Sequence, residues 1–227
     1  HLIAFLSSQP LLLKTAFQYG DRDANDFRTA GAAACTLVDL YSLLGQDARA
    51  LEILDRDQAF IGRGGFSRWT ELGREGQRLQ ILMRQGEHAE VLAAVRALAN
   101  EMESLPNRDP SGTVDPWNVR AAILGVGVRA AKNLGQWPDA LVLNRTIRES
   151  QELRHAGSHA LAQTSFNECE TLLGLGRLEE AEALLSECRQ VFEREGDILR
   201  LGNVFSALAD LEARRDRPDM AARFART

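Results

Sequence analysis

Two histidines stand four positions apart in His155-Ala156-Gly157-Ser158-His159, the spacing at which imidazoles on one helical turn could share a divalent metal. Gly157 breaks any helix between them, no Glu follows the first His and no third ligand is evident, so the motif is read as no metal site. Gly62-Arg63-Gly64-Gly65 lacks both the G-x-x-x-x-G-K-[ST] spacing and the preceding strand that a phosphate loop requires, and reads as a return turn. No G-x-S-x-G is present, and none of Cys35, Cys169 and Cys188 has a His and an acid placed by a local signature. The residues capable of chemistry therefore predict no enzyme, no metal and no cofactor, and they leave binding as the class of function.

Composition narrows the partners. The chain has 227 residues, 44% of them hydrophobic and 26% charged, enough for an ordered solenoid or one or two globular domains. A net charge of −5 argues against a dedicated nucleic-acid surface, which needs clustered Lys and Arg. Only Lys14 and Lys132 are lysine, so 27 − 2 = 25 of the basic residues are arginine; with abundant Ala, Leu and Gly this points to a GC-rich bacterial genome. Three cysteines without C-x-x-C spacing fit a reducing cytoplasm. No apolar run approaches the roughly 18 residues that span a bilayer, and no secretory signal is visible. His1-Leu2-Ile3 is no natural start, and the sequence stops inside an apparent helix, so a fragment of a longer protein is expected.

Any binding surface must be positioned by the elements, and these repeat. Polar turns pivot at Gly45, Gly86, Gly135, Gly176 and Asp216, spaced 41, 49, 41 and 40 residues apart. Five residues after each pivot stands Ala50, Val91, Ala140, Ala181 or Ala221, a small or β-branched residue that lets two antiparallel helices approach closely. Apolar residues recur three and four apart between pivots, as at Leu161, Phe166, Cys169, Leu172 and Leu173, and no strand-period alternation is seen. A period near 40 predicts an all-α stack of helical hairpins, at residues 27–60, 67–103, 116–154, 158–195 and 198–227, after a partial hairpin at 1–20. Gly64-Gly65, Gly157 and Gly196-Asp197 are expected to cap helix C-termini in the return loops. The 49-residue interval carries about eight extra residues at Leu105–Thr113, read as a surface insertion or as a flap over a binding groove.

Leu37, Tyr41, Gly45 and Ala50, with Leu172, Gly176 and Ala181 and with Leu208, Ala209 and Ala221, resemble the landmark positions of the tetratricopeptide repeat (TPR), in its longer-helix variety. Such arrays occur in kinesin light chains and in sensor regions of bacterial transcriptional regulators. The resemblance implies a right-handed superhelical solenoid of antiparallel hairpins whose first helices line a concave, peptide-sized groove. It nominates Asp39, Gln80, Arg129, Glu170 and Asp210, six residues before each pivot, together with Lys132 and Phe166. Asn167 matches an asparagine with which kinesin-type repeats grip a ligand's main chain, since an amide can both donate to and accept from a peptide bond. The implied function is a protein- or peptide-binding scaffold in the cytoplasm, the sensor or interaction domain of a larger bacterial regulatory protein, with no direct nucleic-acid or membrane partner. The alternative is a structural module that self-associates through its end hairpins.

Overall fold

The computed structural model describes residues 24–226, and the expected partial hairpin at 1–20 lies outside them. All regular structure among the described residues is helical. The helices are α1 (Ala24–Leu43), α2 (Asp47–Arg63), α3 (Arg68–Gln85), α4 (His88–Ser104), α5 (Pro116–Asn133), α6 (Trp137–Leu153), α7 (Ser158–Gly174), α8 (Leu178–Glu195), α9 (Ile198–Arg214) and α10 (Pro218–Phe224).

All five pivots adopt the left-handed backbone, with φ of 68° at Gly45, 89° at Gly86, 69° at Gly135, 71° at Gly176 and 57° at Asp216. Each forms the same pair of capping bonds. At Gly176 the pivot amide donates to Leu173 O at 3.1 Å and the following Arg177 amide to Leu172 O at 2.9 Å. These bonds satisfy carbonyls that the helix end would otherwise leave unpaired. Glycine meets this conformation without a Cβ penalty, and aspartate is among the few other residues that tolerate it. The small residues five positions on are fully buried at Ala50, Val91, Ala140 and Ala181, so the helices of each hairpin meet closely just after the turn.

One return loop departs from expectation. Gly157 does not cap α6; it is extended (φ −63°, ψ 156°) and precedes α7 as its N-cap. The left-handed residue is His155 (φ 53°), whose amide donates to Glu152 O at 3.0 Å while Ala156 N donates to Gln151 O at 2.9 Å. The same cap is made two residues earlier, on a non-glycine residue. Gly65 (φ 64°) and Gly196 (φ 69°) do take left-handed positions.

The described chain forms two compact units, divided after Val126 within α5. In the first, Ala34, Leu37, Val38, Ala50, Ile53 and Leu54 from α1 and α2 pack with Ile81 of α3. In the second, α8 shows why the hairpins pack: Ala181, Leu185, Cys188 and Phe192 fall on one stripe and are buried against Cys169, Leu172 and Leu173 of α7. Fully burying a side chain such as Leu172, Leu185 or Leu211 contributes about 1.5–3 kcal/mol. The buried Glu168, on α7, is paired: it meets Arg148 at 2.7 Å and Arg145 at 3.1 Å, both on α6.

Candidate binding cleft

In the first unit a cleft of about 330 Å3 lies against α1, α3 and α5, the first helices of successive hairpins. Its floor follows from small residues. Gly73 and Gly76 on α3 let α5 come close enough that a Cβ at Gly76 would stand 3.1 Å from Ile123 Cγ1, and one at Gly73 3.8 Å from Val119 Cγ2. Its lining includes three side-chain amides, those of Gln77, Gln80 and Asn118. Gln77 reaches across to α1, where its Nε2 donates to Asp39 Oδ1 at 2.7 Å and approaches Cys35 Sγ at 3.5 Å. That leaves Gln77 Oε1 buried without a hydrogen-bond donor among the described residues. A carbonyl oxygen in this state is an acceptor awaiting a donor.

The loop at 105–115, which contains the insertion, supplies the remaining wall through Val114 and Asp115. It is fastened to α3 at two points: Trp69 Nε1 donates to Pro106 O at 2.8 Å, and the Thr70 and Thr113 hydroxyls lie 2.6 Å apart. Asp109 is the hub of the loop. Its carboxylate accepts from the Ser111 amide at 3.0 Å, the Thr113 amide at 2.7 Å and the Val114 amide at 3.0 Å, as well as from the Ser111 hydroxyl. Burial opposes the charge on Asp109, but the hydroxyl and amide donors outweigh it and hold the carboxyl well below the usual carboxylate range. Arg120 completes the fastening. Its Nη2 donates to Met102 O at 2.7 Å and its guanidinium lies 5.5 Å from the Trp69 ring and 5.4 Å from that of Trp117; desolvation there lowers its pKa against the opposing pull of Glu103.

Of the residues nominated from the sequence in this unit, Gln80 is exposed and lines the cleft, and Asp39 is exposed and held by Gln77. In the second unit, Lys132 of α5 forms an ion pair with Glu170 of α7. Arg129 is exposed and pairs with no carboxylate among the described residues. The exposed Asn167 contributes its main-chain carbonyl to the buried Asn144 Nδ2, at 3.2 Å, and its own amide makes no bond among the described residues. Phe166 is half-buried against the hydrophobic cluster of α7 and α8. Asp210 pairs with Arg214 at 2.9 Å, and Arg214 Nη1 donates to Leu173 O across to α7. His159 Nε2 lies 2.9 Å from Asp197 Oδ2, while His155 occupies the turn and not the helix face.

Sequence reasoning missed Gln77 and Asn118. A signal for Gln77 was present: it stands nine residues before Gly86, as Asn167 stands nine before Gly176. Asn118 carried none, because it stands 17 residues before Gly135, near the start of α5 and far from the offsets that mark the nominated positions.

No family model matches the chain, and no curated protein matches it. Among solved structures, the chain is similar to nearly identical TPR-like repeats assigned to a kinesin light chain of Podosopora anserina, with a TM-score of 0.68 and 16% identity over 90% of this chain and 94% of that one. With the five repeated caps and the hairpin order, this likeness gives the chain a TPR-like helical-repeat fold.

Proposed function

We propose that the chain is a peptide- or protein-binding scaffold, the recognition part of a larger bacterial regulatory protein working in the cytoplasm. It takes an extended segment of its ligand against the first helices of its hairpins. The observation that carries this reading is the cleft along α1, α3 and α5, lined by three side-chain amides, one of which holds a buried acceptor without a donor. Amides address a peptide main chain through both its N–H and its C=O and so tolerate varied side chains. In the second unit, Asn167, Lys132 and Glu170 are kept as contact positions of the same kind.

Panning a random peptide library on the immobilised protein, followed by titration of the selected peptides, tests the proposal. Removing two amides with Gln80→Ala/Asn118→Ala should weaken the selected peptides about fivefold or more, at about 0.5–1.5 kcal/mol for each lost hydrogen bond, with the helical content retained. Peptides that bind both forms equally would take the cleft out of the reading.

A second reading, self-association through the end hairpin, is favoured by one observation. Ile198 and Leu199 open α9 at 83% and 76% exposure, with Leu153 at 74%, more apolar surface than a helix start requires.

A further inference from the structure

The insertion that enlarges the second repeat does more than lengthen it. The loop that carries it ends in Asp115, which places a carboxylate on the wall of the cleft. Asp115 lines the cleft at the start of α5, and its Oδ1 accepts from the Trp117 amide at 2.9 Å. Its other oxygen receives no bond, and no Lys or Arg pairs with it among the described residues. The remaining charged residue of the lining, Arg74, is turned toward α1, where its Nη2 donates to Gly31 O at 2.7 Å.

The wall carrying Asp115 is fixed in advance. Asp109 gathers three main-chain amides, Thr113 is tied to Thr70, and Pro106 to the indole of Trp69. Asp115 is itself held, since its main-chain oxygen accepts from the Asn118 and Val119 amides at 3.0 Å each. A charge held in place loses little freedom when its partner arrives. It therefore discriminates between ligands more sharply than a carboxylate on a mobile loop.

We propose that Asp115 selects the ligand of this cleft by charge, so that the bound peptide carries a Lys or Arg side chain at the position facing the insertion. The inference rests on the reading of the cleft as a peptide site. Asp115→Asn is a suitable variant, because asparagine caps a helix as well as aspartate does and only the charge is removed.

A random peptide library is panned in parallel on the wild-type protein and on Asp115→Asn. One selected peptide is then titrated beside its acetyl-lysine analogue at low and at moderate salt. Peptides from the wild type should share a basic residue at one position, and the enrichment should vanish with Asp115→Asn. The lysine peptide should bind the wild type about fivefold more tightly than its acetylated form, as a partly exposed ion pair allows. That ratio should fall to one in Asp115→Asn and shrink with salt, while the acetylated peptide binds both proteins alike. An unchanged ratio in Asp115→Asn, or selected peptides without a shared basic position, overturns the charge selection. If binding also ignores Gln80→Ala/Asn118→Ala, the cleft reading falls with it. If binding depends on those amides but not on Asp115, the cleft stands and the charge selection alone is lost.

Discussion

Asp109 shows how one buried carboxylate can organise a segment that has no regular structure. Replacing it with alanine leaves the Ser111, Thr113 and Val114 amides without their acceptor. The loop can turn some of them to water, so we expect Asp109→Ala to cost about 2–3 kcal/mol, measured by urea unfolding. The pH dependence follows from the depressed carboxyl. Its contribution is fully present above the ordinary aspartate value of about 3.9 and is lost as pH falls below that toward the lower folded value. The gap between wild type and Asp109→Ala should therefore stay constant from neutrality to mild acid and narrow only below about pH 4. Nothing in the sequence marked this residue. It lies in a stretch without periodicity, and three of its partners are main-chain amides, which leave no trace in residue types. Gln80, by contrast, was legible because a constant offset from the pivot carries a residue to the same face in every hairpin.

At the scale of elements, the hairpins were readable because the cap that ends each first helix demands a left-handed residue, and only a few side chains permit one. The same logic misplaced the cap of α6. Glycine is the residue type suited to that cap, whereas the chain puts His155 in the left-handed position and uses Gly157 to enter α7. Close contacts between helices are a separate demand. A Cβ on Gly174, the last residue of α7, would lie 2.5–2.7 Å from ring atoms of Trp137, the first residue of α6. Gly174→Ala must displace the indole, and a cost of about 1–3 kcal/mol is expected. Gly125, inside α5, has nothing within 4 Å of its Cβ position, so Gly125→Ala should instead gain up to about 1 kcal/mol from helix propensity. Denaturant midpoints that move the same way for both variants would disprove the contact argument.

Between the first helices of successive hairpins, side-chain contacts recur at similar separations in sequence, from 37 to 43 positions. Asp39 bonds to Gln77, Lys132 to Glu170 and His159 to Asp197, each 38 positions apart. This recurrence is what made the fold visible from period alone, whereas the partner is not written in any period. Among the described residues no helix is long and apolar enough to cross a membrane. The exposed Ile198 and Leu199 give the self-association reading a direct check by sedimentation velocity. That reading expects a mass that rises with protein concentration in the wild type and stays monomeric in Ile198→Ser/Leu199→Ser. A wild type that is monomeric throughout the range removes it.

The insertion leaves this lateral order undisturbed. Between α3 and α5 the facing residues are Gly73 with Val119 and Gly76 with Ile123, 46 and 47 positions apart, so the added length is absorbed outside the helices. Alignment between neighbouring helices is therefore held by their packed surfaces and not by the count of residues joining them. Evolution can rewrite or extend the joining segment, and with it the wall of the cleft, while every helix keeps its neighbour. A lineage of such proteins could reshape this cleft by editing one linker and inherit its architecture unaltered.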